Sequence, residues 1–127
     1  MKEIMSFIRT SKVNETKFAL ANNGFPAFTC RKCLGRGQKS IDAELLNTIL
    51  EAGELPLNNV GEHVTEATRL IAKRFFTLIV EDEDVQKVVD VIIAANQSGN
   101  PGDGRIFVLP VLEALTVRNG ESSAEAY

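Results

Sequence analysis

The sequence predicts an α+β fold of the ferredoxin-like type, a double β-α-β (split βαβ) in which two helices cover one face of a sheet. Three observations carry this expectation. The order strand, helix, strand reads off the first third of the chain, the same order recurs from Lys73 onward, and 127 residues suffice for one hydrophobic core but not for two. We therefore expect one domain over 1–127, with a long central loop between its halves.

Each element has its own signal. Residues 3–9 (Glu-Ile-Met-Ser-Phe-Ile-Arg) are apolar and β-compatible, and Ser11 is placed to cap a helix containing Val13, Phe18, Leu20 and Ala21. Asn22-Asn23-Gly24 is a helix stop whose glycine suits the left-handed position past the last turn, and β character resumes from Phe25 to Leu34. Phe75, Phe76, Leu78, Ile79 and Val80 form a nearly continuous apolar run, the pattern of a strand buried on both faces. Glu81–Asp84 place negative charge where a helix macrodipole favours it, and Val85, Val88, Val89, Ile92 and Ile93 then form a helical stripe ending before Gly99. Ile106–Leu109 supplies a strand closed by Pro110, with Ala114–Arg118 as a short edge strand. Helices on one face leave the other apolar, and a symmetric oligomer is the natural cover for it.

The connection over 36–71 far exceeds the usual 4–6 residues or so. Ile41, Leu45, Ile49 and Leu50 fall near one face of a helix over 41–52, and Gly53, Pro56, Asn58, Asn59 and Gly61 read as loop. This segment is either a projecting docking arm that rearranges on a target or a helix packed permanently on its own domain.

Composition narrows function. A formal net charge of -3 gives no general basic field for nucleic acid, and no segment approaches the 18 or so apolar residues of a membrane span. A cytoplasmic protein is expected, and the triplets Asn14-Glu15-Thr16 and Asn96-Gln97-Ser98 then read as chance matches to a glycosylation signal. Cys30 and Cys33 form C-x-x-C, but zinc wants about four ligands and His63 is the one histidine; two reduced strand thiols is the economical reading. No nucleophile elbow or carboxylate pair with an assigned base is present, so we expect no enzyme and no catalytic residue.

Two loops have the glycine content of anion sites. Ser98-Gly99-Asn100-Pro101-Gly102-Asp103-Gly104-Arg105 offers converging backbone amides plus a cation, or is simply a tight turn. Leu34-Gly35-Arg36-Gly37-Gln38-Lys39-Ser40 is a second candidate, matching neither the P-loop nor the dinucleotide fingerprint.

Gly102-Asp103-Gly104-Arg105-Ile106-Phe107-Val108, then Pro110-Val111, then Val117-Arg118-Asn119-Gly120-Glu121, resembles the GDGKIFV…PV…RTGE signature of the PII nitrogen-signalling family. The N-terminal Met-Lys-Glu-Ile-Met-Ser-Phe-Ile-Arg, Thr29, Gly35, Gly37 and Lys73 also align, leaving only the central insertion outside. The resemblance implies a trimer with ATP (or ADP) and Mg2+ in clefts between subunits and 2-oxoglutarate beside the nucleotide. It implies that Gly102, Asp103, Gly104, Arg105 and Arg118 hold phosphates, that Thr29 and Ile79 flank adenine, and that Lys73 pairs with a 2-oxoglutarate carboxylate. Gly35, Gly37, Gln38 and Lys39 complete the implied cofactor set. The family's glutamine after the second glycine is one residue out of step here, as Gln38, and an arginine expected two residues before Arg118 is Thr116.

Among PII-type proteins the chain is most similar to those encoded with nitrogenase in methanogens and some anaerobic bacteria, as the second member of the pair. That resemblance implies a homotrimer or hetero-oligomer with a sister subunit, direct inhibitory binding to dinitrogenase through the arm, and relief by ATP and 2-oxoglutarate. A general PII regulator of an ammonium channel or glutamine synthetase is the alternative. The one tyrosine, Tyr127, lies far from the loop that some relatives modify, so uridylylation is not expected.

Overall fold

Period-two alternation organises the sheet. Along β1 (Lys2–Arg9), Ile4, Ser6 and Ile8 are buried while Glu3, Met5, Phe7 and Arg9 face the other way. The computed structural model describes residues 1–37 and 69–127. Its sheet contains β1, β2 (Thr29–Gly35), β3 (Ile71–Val80) and β4 (Arg105–Pro110), in the order β2-β3-β1-β4. β1 runs antiparallel to β3 from Lys2↔Val80 to Arg9↔Lys73, and antiparallel to β4 from Lys2↔Pro110 to Phe7↔Arg105. With helix α1 (Val13–Asn22) between β1 and β2, and α2 (Val85–Asn96) between β3 and β4, this is the expected ferredoxin-like α+β topology.

The chain divides into two compact units, Met1–Cys33 with Ala72–Tyr127, and Leu34–Ile71. Most of the proposed arm lies outside the described residues, including the helix expected over 41–52, the loop of Gly53, Pro56, Asn58, Asn59 and Gly61, and His63.

The helix ends show where local signals hold. A 3-10 turn at Thr10–Lys12 leads into α1, and the residue at its cap is Lys12, with no side-chain capping bond. Ser11 therefore does not cap, because the extra turn moves the helix start past it. The far end behaves as expected: Gly24 has φ +90°, Gly24 N–H donates to Ala21 O (3.1 Å) and Phe25 N–H to Leu20 O (2.8 Å), a paired closure of the last carbonyls. The acidic run forms the turn Asp82–Asp84 before α2, with Asp82 and Glu83 exposed, while Glu81 accepts from Ala126 N–H at 2.7 Å.

The core lies between the helices and one sheet face, built from Ile4, Ile8, Leu20, Phe76, Leu78, Val80, Val88 and Ile92, with Phe28 stacked on Phe76 at 4.6 Å. The apolar run of β3 suggested burial on both faces. Within the described chain only Phe76, Leu78 and Val80 are buried, and Phe75, Thr77 and Ile79 are half-exposed, since both helices pack on the same side. The open face carries Phe7 edge-on to Phe75 (5.4 Å) and Phe107 (6.4 Å), with the Arg31 guanidinium 4.9 Å above Phe75. The stripe of α2 is also narrower than its sequence: Val88, Ile92 and Asn96 are buried and Ile93 is exposed.

One polar tie crosses the helix layer. Asn96 Nδ2 donates to Thr16 Oγ1 (3.0 Å) and Ile92 O (2.9 Å), and Thr16 Oγ1 donates to Lys12 O (2.8 Å). Asn96 Nδ2 and Thr16 Oγ1 are thereby both paired, while the buried Asn96 Oδ1 has no hydrogen-bond partner among the described residues. Asn96 and Thr16, members of the two glycosylation-like triplets, are thus core residues.

Ala114–Arg118 does not join the sheet. It closes a small hairpin through a single bridge, Leu115↔Ser122, with Thr116 N–H donating to Glu121 O at 2.8 Å and Ser123 N–H to Ala114 O at 2.8 Å. Val117 is fully exposed there. Cys30 and Cys33 are free, half-buried thiols on β2. Among the described residues no helix is long and apolar enough to cross a membrane.

Candidate functional site

The loop Ser98–Gly104, between α2 and β4, is pinned at both ends to other elements. Gly104 has φ +118°, and a Cβ there would stand 2.0 Å from the carbonyl oxygen of Phe7, so the loop lies directly on the β1 backbone. Gly102, at φ +94°, lies against Arg9: a Cβ would sit 3.4 Å from Arg9 Nη2. Glycine is required at these positions by conformation, and at 104 by contact as well.

Two cations reach this loop from neighbouring strands. The β1–β3 register places Arg9 opposite Lys73. Arg9 Nη2 donates to Pro101 O (2.9 Å) and Asp103 Oδ1 (3.1 Å), and Lys73 Nζ donates to Gly102 O (2.7 Å). Asp103 is turned back into its own loop, accepting from Ser98 N–H (2.8 Å) and Gly99 N–H (3.0 Å) on Oδ2 and from the Ser98 hydroxyl on Oδ1. Asn100 N–H in turn donates to Ser98 Oγ at 3.3 Å.

The electrostatics follow from these contacts. Hydrogen bonds from the Ser98 hydroxyl and amide, with Arg9 and the Gly99 amide adding to them, hold the Asp103 carboxyl far below the usual carboxylate range. Desolvation pushes the Lys73 ammonium below an ordinary lysine; Arg9 lowers it further, while Asp103 and Cys33 oppose the shift. Lys73 is therefore a partly desolvated cation beside Arg9, whose own charge is paired with Asp103 at 3.1 Å.

The structure brings together Lys73, Gly102, Asp103 and Gly104 with Ser98 of the same loop, and adds Arg9, whose role in the site sequence reasoning missed. Arg9 entered the sequence reading only as the last residue of the aligned N-terminal stretch, with no role assigned; its signal is positional, a charge ending a strand at the register of Lys73. Arg105 begins β4 and is exposed, as is Arg118 in the turn beyond the Leu115 bridge. Ile79 lies elsewhere, opposite Glu3, six residues along β3 from Lys73 and so about 20 Å away at roughly 3.3 Å per residue. Thr29 is exposed at the start of β2, the strand beside β3, where its neighbour Phe28 stacks on Phe76 and Arg31 lies over Phe75. Gly35 and Gly37 belong to the unit Leu34–Ile71, with Gly37 at φ +66°. Gln38 and Lys39 lie outside the described residues.

The chain matches the family described as Nitrogen regulatory protein P-II over residues 1–121. It is 46% identical over 127 residues, 99% of each chain, to the Nitrogen fixation nifHD region glnB-like protein 2 of Methanococcus maripaludis. It is 42% identical over 123 residues, 96% of this chain and 94% of the relative, to the protein of the same description from Methanothermococcus thermolithotrophicus. It is 33% identical over 126 residues, 99% of each chain, to the Nitrogen regulatory protein P-II of Microchaete diplosiphon. With a glycine loop laid on β1, two strand cations directed at it, and a match over nearly the whole chain, this protein belongs to the nitrogen regulatory protein P-II family.

Proposed function

We propose that this chain is a metabolite-gated regulator of nitrogen fixation that binds ATP with Mg2+ and 2-oxoglutarate and acts by docking onto dinitrogenase in the cytoplasm. As a P-II protein it is a signal-transduction regulator and not an enzyme. The observation that carries the ligand reading is the convergence of Lys73 and Arg9 on the Gly102–Gly104 loop, where Arg9 straps the glycine backbone that would receive phosphates and Lys73 supplies a cation for a carboxylate. Gly102, Gly104, Arg105 and Arg118 are the phosphate contacts in this reading, Lys73 holds 2-oxoglutarate, and Gly35, Gly37, Gln38 and Lys39 complete the site.

The distance between the two ends of β3 supports a site shared between subunits. Ile79 of one protomer lies about six residues along β3 from its own phosphate loop, too far to grip the adenine of the nucleotide held there, so a neighbouring copy supplies it in the proposed trimer, with Thr29 as the other adenine contact of this reading. The open aromatic face of the sheet supplies an apolar surface for such an assembly, or for one that includes a sister subunit. The link to nitrogen fixation rests on the relatives described by the nifHD region. Ligand occupancy then shifts the equilibrium of the 36–71 arm between docking and non-docking states, by as much as the ligands' affinities for the two differ.

Two experiments test this. Calorimetric titration with ATP and Mg2+, with and without 2-oxoglutarate, should give binding that each ligand strengthens for the other. A pull-down should capture dinitrogenase from the ligand-free protein and release it on adding both ligands; capture indifferent to them refutes the gating. The resemblance to a general Nitrogen regulatory protein P-II sustains a second reading, an ammonium channel or glutamine synthetase as target, which the same pull-down decides by which protein is retained.

A further inference from the structure

We propose that Asp103 is a positioning residue: with Arg9 it holds Ser98–Arg105 in the shape that receives phosphates, while its carboxylate touches neither phosphate nor metal. This rests on the reading of the loop as an ATP site and departs from the role that resemblance implies for this residue. A carboxylate offers about four acceptor positions. Here Ser98 N–H and Gly99 N–H fill two on Oδ2, while the Ser98 hydroxyl and Arg9 Nη2 fill two on Oδ1. No acceptor position remains for a metal, and the negative charge would repel a phosphate brought into contact with it.

The same bonds explain what the side chain does. Joining residue 103 to 98 and 99 closes the loop on itself, and Arg9 straps Pro101 O and Asp103 together from the end of β1. Gly102 then lies against the guanidinium, and Gly104 against Phe7 O, so the backbone between them has little room to move. Loop donors held in place before the ligand arrives do not have to be ordered on binding, which is the general source of affinity in preorganised sites.

The experiment uses the full-length protein and the variant Asp103→Asn. An amide has one acceptor oxygen, so the side chain introduced by this change can keep only one pair of the four donors. Two readouts are taken. Hydrogen exchange of the Ser98 and Gly99 amides, without ligand, is expected to rise about tenfold or more in the variant, the scale of one charge-assisted hydrogen bond. ATP affinity is expected to fall about tenfold, equally in Mg2+ and in EDTA. Arg9→Met should lose a similar factor, and the double variant little more than either alone, because both changes remove one strap. Ser98→Thr, which retains the hydroxyl, should keep affinity close to the parent, and Ser98→Ala should not.

Unchanged exchange in Asp103→Asn overturns the proposal whether or not ATP binds. Tighter ATP binding would mean that the carboxylate stands against the phosphates, and a loss confined to Mg2+ would make it a metal ligand; either result refutes the positioning role. If the parent protein fails to bind ATP, the ATP reading falls, while the exchange result still decides whether Asp103 shapes the loop.

Discussion

The sharpest physical test of the site is Gly104→Ala. An added Cβ would stand 2.0 Å from Phe7 O and 3.1 Å from Phe7 C, both backbone atoms of β1 that cannot rotate away. Ordinary contact begins near 3.4 Å, so loop and strand must separate by more than an ångström, and the first β1–β4 rung, Phe7↔Arg105, lies next to the gap. Backbone strain at φ +118° contributes about 1–3 kcal/mol and the forced repacking about 1–3 kcal/mol, for an expected loss of about 2–6 kcal/mol. Gly120→Ala is the control: at φ +73° with nothing within 4 Å, it should cost about 1–2 kcal/mol from conformation alone. Urea unfolding at one fixed protomer concentration measures both, since any oligomer makes midpoints concentration-dependent. If Gly104→Ala costs no more than Gly120→Ala, the loop does not rest on β1 and the geometry assigned to the site is wrong.

Three further outcomes are expected. Thr16→Val removes the oxygen that accepts from Asn96 Nδ2 inside the helix layer, and should lower stability by about 1–2 kcal/mol in urea; a neutral result would show that the pair is no tie. The folded-state pKa of Asp103 lies below its ordinary 3.8, so the unfolded chain takes up the proton first as pH falls. The stability it supplies is thus complete above that value and lost below it, and the urea midpoint of Asp103→Asn should decline less steeply with acidification than the parent's. The Lys73 pKa lies below 10.5, so if its ammonium holds 2-oxoglutarate, calorimetric affinity should weaken with rising pH before a free lysine would deprotonate. Affinity that stays flat through that range would remove Lys73 from the site.

Much of the fold was legible because its signals are local. Apolar, β-compatible runs marked β1 and β3, a helical apolar stripe marked α2, and Asn22-Asn23-Gly24 marked the end of α1, since a left-handed glycine and its two closing bonds involve only a few neighbouring residues. The glycine loop after α2 and its family signature were likewise legible, as a contiguous stretch. Ser11 misled as a cap because the choice between a 3-10 turn and an immediate α-helix depends on how β1 and α1 pack, which the residues at the junction do not encode.

By itself, then, the sequence determined the order of elements, the family and the loop that forms the candidate site. Only the tertiary structure decided which face of β3 is buried, that Asn96 and Thr16 meet across the helices, and that Arg9, 92 residues from Pro101, straps the loop. The physical reason is register: the pairing of β1 with β3 and β4 brings Arg9, Lys73 and Asp103 together from two strand ends and a loop, and strand registry is a property of assembled backbones, not of any segment read alone.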